Sequence, residues 1–173
     1  KNAHRKEYLP IQGLIELREN ISKYLSKRTG NDYPKENILI TPGSKEAMLL
    51  IHIAFNGEII IPAPGWVSYE PQAEIGSNKV HWLETTRENN WFPTGAELEK
   101  KIKSVGKNKN LILILNSPNN PSGVVCENLE ELAKVAKKYK IMVLSDEIYT
   151  DLTFSNKYKS ISRLSLIHIS EPT

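Results

Sequence analysis

Cysteine is almost absent from this sequence, Cys126 being its single example. A lone thiol forms no internal disulfide and no multi-thiolate metal site, so a reducing compartment, the cytoplasm, is the expected setting. Long apolar runs are missing as well. None approaches the ~20 residues that a membrane span needs, and no charged start followed by an apolar stretch marks a secretory signal, so no membrane partner is expected. Nor is one sign of charge in excess. Lysine and arginine number 23 against 20 aspartates and glutamates, and the formal charge of +3 is too small and too dispersed to mark a nucleic-acid partner. The densest basic cluster, Lys134, Lys137, Lys138 and Lys140, stands at helical spacing opposite Leu132, Val135 and Ala136 and reads as a solvated helix face. Internal repeats and low-complexity linkers are lacking too.

What is there is ordinary globular material. With 39% hydrophobic and 25% charged residues, 173 residues suffice for one sizeable core. Leu14, Leu17, Ile21, Tyr24 and Leu25 recur at three- and four-residue steps and predict a helix over 13–27, stopped by Gly30 and Asn31. A short apolar run, 38–40, then reads as a strand that turns through 41–44 into a helix over 45–55. The alternation repeats with strands at 58–61, 79–83, 111–115 and 141–144 and helices at 66–75, 95–105 and 129–139. The last two strands are wholly apolar, as strands covered on both faces are. Together these features predict an α/β fold, a three-layer α/β/α arrangement around a mostly parallel sheet. Residues 1–33 are expected to form an N-terminal flanking segment with its helix, and 34–163 the main domain, with no internal boundary between Ile38 and Thr153. The chain opens on Lys1 without a methionine and is expected to start mid-protein. Its last stretch, 164–173 (LSLIHISEPT), reads as the translation of a sequencing-library adapter, so the native sequence is expected to stop near Arg163.

Four polar segments each follow a strand or apolar run, where ligands of such sheets gather. Thr41-Pro42-Gly43-Ser44-Lys45 feeds a helix start, whose amides and dipole suit a phosphate; the plain alternative makes Ser44 an N-cap. Pro64-Gly65-Trp66 delivers a flat ring able to stack on a heteroaromatic ligand, or simply to pack under a loop. The stretch 116–123, NSPNNPSG, is too long and too rich in proline and asparagine for a tight turn. An asparagine held there serves a ligand oxygen, or else its own backbone as an Asx turn. Ser145-Asp146-Glu147-Ile148-Tyr149 places a carboxylate at a strand end, which calls for a positive partner such as a protonated pyridine nitrogen. Tyr149 reaches the same ligand only if the strand breaks after Asp146; the alternative is an N-cap aspartate beside a core tyrosine.

In this order, TPGSKEA (41–47), PGWVSY (64–69), PNNPSG (118–123) and SDEIY (145–149), preceded by YLPIQGLIELR (8–18), resemble the signature stretches of the class I/II aminotransferases, fold-type I pyridoxal-phosphate enzymes similar to aspartate aminotransferase. The resemblance implies a partial pyridoxal-phosphate-binding large domain over 34–163 and, for a parent protein, amino-group transfer from an amino acid to a 2-oxo acid. It implies that amides around Gly43, Ser44 and Lys45 hold the cofactor phosphate and that Trp66 stacks on the ring. Asn120 and Tyr149 would reach the phenolic oxygen, with Asn120 near the substrate carboxylate. Asp146 would pair with the ring nitrogen as the catalytic electron-sink partner. Tyr8 would reach the phosphate of a neighbouring subunit, implying a homodimer. No metal is implied.

The departures matter equally. The family's cofactor-linking lysine follows in a later serine-rich stretch, and Lys157 and Lys159 fall too early for that role. The arginine-bearing small domain is likewise not in this sequence, so the fragment is expected to have little activity alone. Gly65 and Ser122 stand where relatives often carry an aromatic and a threonine. A carbon-sulfur lyase or a cyclopropane-carboxylate synthase of the same fold, or the sensor domain of a transcription regulator, shares these pocket motifs.

Overall fold

The computed structural model describes residues 8–154 and 158–164. Backbone contacts divide the chain into two compact units, Lys1–Glu46 and Ala47–Thr173, rather than at the expected 33/34 boundary.

In the first unit the amphipathic pattern forms α1 (Ile15–Thr29), which ends where Gly30 takes φ 82° and its N–H returns to the Ser26 carbonyl. Arg18 is buried, its Nη1 donating to Gln12 Oε1 at 2.9 Å and to the Lys35 carbonyl at 3.0 Å. The run 38–40 is not a strand. Ile40 donates to the Gln12 carbonyl at 3.0 Å, but no ladder partner lies beside it among the described residues. Apolar β-branched residues favour extended backbone; a strand also needs a neighbour. Gly13 is required at this contact: its φ is 95°, and a Cβ there would stand 2.6 Å from Ile40.

The second unit is built on four parallel strands, β1 (Glu58–Ala63), β2 (Lys79–Glu84), β3 (Leu111–Asn116) and β4 (Met142–Asp146), in the order β2-β1-β3-β4. Period-two alternation sorts their side chains onto two faces. Ile60, Leu113 and Leu115 pack with Leu98 and Ile102 of α4 (Gly95–Val105) and Leu132 and Ala136 of α5 (Leu129–Tyr139). On the other face, Ile59, Ile61, Ile112 and Ile114 pack with Met48 of α2 (Ser44–Ala54) and Tyr69 and Ala73 of α3 (Tyr69–Ile75). The expected three layers follow. Every residue of β3 is buried, and each such Ile or Leu contributes about 1.5–3 kcal/mol of transfer free energy.

Two expectations need correction here. The segment 141–144 is not covered on both faces: Ile141 is buried, but Met142 is 50% exposed, β4 being paired to β3 alone among the described residues. The helix expected from 66 begins only at Tyr69, with Trp66 in the preceding turn, whose carbonyl accepts from Tyr69 N–H at 3.1 Å. α4 starts where expected, behind a capping box in which Thr94 and Glu97 bond reciprocally.

Candidate active site

Strand order sets the place for a ligand. The chain runs from β1 outward to β2, then returns to the other side of β1 for β3 and β4, so the order reverses between β1 and β3. In open parallel sheets the crevice beyond the carboxyl ends of the strands at this reversal is the binding position. The loops leaving β1 and β3 carry Trp66 and Asn120, and Asp146 is the last residue of β4 itself.

The loop after β3 is shaped by its own asparagines. Asn119, buried, accepts from Ser122 N–H at 3.1 Å and from Ser122 Oγ at 2.8 Å, and its main chain bonds Gly123 and Val124. This is the self-bonding Asx role. Asn120, next in the chain, is left with its side chain facing outward from the loop, and its Nδ2 donates to Tyr149 Oη at 3.3 Å. Beside this pair opens a cavity of about 650 Å3, walled by Pro121, Val124, Leu152 and Phe154 as well.

The chain does leave the strand after Asp146. Asp146 Oδ1 accepts from Ile148 N–H at 3.3 Å, and Tyr149 has φ −100° and ψ 12°, a turn rather than extended backbone. That bend brings Tyr149 to Asn120 instead of to the opposite face of the sheet. Asp146 is half-buried, and its Oδ2 accepts from the Tyr69 hydroxyl at 2.7 Å. Burial, then the hydrogen bond and charge of Asp146, push the Tyr69 phenol far above its ordinary pKa, so it stays a donor at any physiological pH. Within the chain a neutral phenol and a backbone N–H thus meet the carboxylate; no cation does so among the described contacts. Trp66 sits edge-on to Tyr69, ring centroids 5.4 Å apart and planes at 83°.

Trp66, Asn120, Asp146 and Tyr149 are therefore brought into one neighbourhood. Gly43, Ser44, Lys45 and Tyr8 belong to the first unit. There Gly43 has φ 95° with open space where a Cβ would stand, and its N–H donates to the Thr41 carbonyl at 2.7 Å. Ser44 is the first residue of α2 and not its N-cap, so the exposed Ser44 and Lys45 amides are among those a helix start leaves without intrahelical acceptors. Tyr8 and Lys159 are exposed; Lys157 and the stretch 165–173 lie outside the described residues.

Sequence reasoning missed Tyr69 and Asn116. Tyr69 closes the PGWVSY stretch but looks like any core tyrosine. Asn116 ends a wholly apolar strand, and that abrupt polar residue in a buried run was the available signal.

The donor set fits pyridoxal phosphate. In the second unit a carboxylate anchored at a strand end suits a ring nitrogen and two neighbouring donors suit one phenolate oxygen; in the first, taken by itself, a glycine-led helix start suits a phosphate. Among the described residues no group of His, Cys, Asp and Glu could hold a metal ion, and no helix is long and apolar enough to cross a membrane.

Several known proteins are similar to this chain in sequence and fold. The chain is 36% identical over 164 residues to an aspartate aminotransferase of Thermotoga maritima, spanning 92% of this chain and 42% of that protein. It is 36% identical over 172 residues to aromatic-amino-acid aminotransferase 2 of Thermococcus litoralis, spanning 96% of this chain and 43% of that protein. The solved structure of the T. maritima aspartate aminotransferase superposes with a TM-score of 0.83 at 34% identity, over 92% of this chain and 43% of that one. The Thermus thermophilus aspartate aminotransferase with maleate superposes with a TM-score of 0.84 at 30% identity, over 92% and 42%. The family model described as aminotransferase class I and II matches residues 1–170, and with the parallel sheet and the site at its carboxyl edge this makes the chain a member of that family.

Proposed function

We propose that the protein of which this chain forms about two fifths transfers an amino group from an amino acid to a 2-oxo acid with pyridoxal 5'-phosphate, as a cytoplasmic homodimer. The observation that carries this reading is the placement of Asp146 and the Asn120–Tyr149 pair at the ends of adjacent parallel strands. The named relatives, aspartate and aromatic-amino-acid aminotransferases, support it over the lyase, synthase and sensor alternatives.

In this reading the turn at Gly43, Ser44 and Lys45 holds the phosphate through the helix-start amides of Ser44 and Lys45, Gly43 letting the backbone come close, and Tyr8 reaches that of the neighbouring subunit. Trp66 covers the ring. When bound, the cofactor supplies an electron sink for charge developing at the substrate α-carbon. Asp146 holds a proton at the ring nitrogen through its charge, and the permanently protonated Tyr69 keeps that carboxylate oriented. Asn120 and Tyr149 donate to the phenolic oxygen and stabilise negative charge there.

The test is to titrate the full-length protein, loaded with pyridoxal phosphate, with single amino acids while recording absorbance. Conversion of the cofactor from its aldehyde to its amine form, reversed by a 2-oxo acid, is expected. Absorbance that no amino acid changes contradicts transamination.

A further inference from the structure

One buried side chain joins the two halves of this site without facing a ligand. Asn116 is the last residue of β3 and stands in register with Asp146, the last of β4. It is 5% exposed. Its Oδ1 accepts from the backbone N–H of Asn120 at 2.7 Å, while its Nδ2 donates to the backbone carbonyl of Asp146 at 3.0 Å. A carboxamide is the compact group that accepts and donates at once from a single plane. An aspartate there would keep the first bond and lose the second; an alanine would lose both.

Neither bond is needed to satisfy a buried backbone group. The Asp146 carbonyl also accepts from Ser117 N–H at 3.2 Å, which continues the β3–β4 ladder. Asn120 is only half-buried, so water can reach its amide. What the carboxamide uniquely supplies is the relation between the loop and the strand end. Asn119 contrasts with it: its side-chain oxygen closes the loop on itself, and its Nδ2 reaches the Pro64 carbonyl at 3.4 Å.

We propose that Asn116 is a positioning residue: its side chain ties the Asn120 main chain to the end of β4 and so sets the Asn120 amide and the Asp146 carboxylate at the spacing that one cofactor ring requires. This rests on the reading that the site holds pyridoxal phosphate.

The test uses the full-length protein and the variants Asn116→Ala, Asn116→Asp, Asn120→Ala and Asn116→Ala with Asn120→Ala. In the cofactor-free protein, amide exchange at residue 120 is expected to speed up in Asn116→Ala and to stay slow in Asn116→Asp, which retains the acceptor. In absorbance titrations with pyridoxal phosphate, Asn116→Ala is expected to bind about tenfold more weakly, the scale of one net hydrogen bond. The double variant should lose less than the two single losses combined, since part of the Asn116 effect runs through the placement of the Asn120 side chain. Unchanged exchange at residue 120 in Asn116→Ala, or losses that add in the double variant, overturns the positioning role alone. A wild-type protein that takes up no pyridoxal phosphate overturns the proposed function, and the positioning role with it.

Discussion

β3 and β4 lie side by side in register, yet they solve opposite problems. β3 is buried at every position and contributes to both cores, whereas β4 leaves Met142 half in solvent and only lightly joins either core through Val143 and Leu144. Both end on a polar side chain at the same edge, Asn116 and Asp146. Among the described residues β3 thus fixes the position of β4, and β4 ends on a charge whose desolvation is partial and less costly.

The comparison can be broken most sharply at Leu113, which is fully buried. Leu113→Ala is expected to lower the unfolding free energy of the full-length protein by about 2–5 kcal/mol, measured by denaturant titration. Met142→Ala, at the β4 position paired with Ile112, is expected to cost less than Leu113→Ala by the same measurement. Asp146→Asn, which keeps an acceptor for the buried Tyr69 hydroxyl, is expected to leave stability nearly intact while lowering kcat by roughly 100- to 1000-fold, as the loss of a charge aimed at the reacting system does. Tyr69→Phe keeps the ring in its core and removes only the donor to Asp146; about a tenfold loss in kcat/KM with an unchanged fold is expected.

The smallest effect lies away from both strands. His52 is buried, and burial holds its pKa below the ordinary 6.5, so the folded protein binds fewer protons there than the unfolded chain. Its share of stability is complete above that value and declines as pH falls through it. His52→Gln should flatten the stability profile between about pH 7 and 5, read as Tm against pH.

Most of the fold was legible because β1, β3, α4 and α5 declare their period: apolar runs for the strands, three- and four-residue spacing for the helices, and a glycine that stops α1. The failures share a cause. The run 38–40 and the coverage of 141–144 depended on which neighbour each segment has, and pairing between distant segments leaves no trace in local periodicity. The site divides in the same way. Trp66, Asn120, Asp146 and Tyr149 stood out as polar or aromatic residues at strand ends. The contacts that hold them, Tyr69 to Asp146 across 77 positions and Asn116 to Asp146 across 30, follow only from β3 and β4 being adjacent and α3 lying over that face. Asn119 and Asn120 could not be separated by composition; the loop's hydrogen bonds assign one to structure and leave the other outward.

In the proposed function Asp146 meets the ring nitrogen of a bound pyridoxal phosphate. The direct measurement is the nitrogen NMR shift of ring-labelled pyridoxal phosphate in the full-length protein at neutral pH, beside the same measurement on Asp146→Ala. A protonated ring nitrogen in the wild type that becomes unprotonated in the variant is the expected result. An unprotonated nitrogen in the wild type, or the same shift in both proteins, contradicts it.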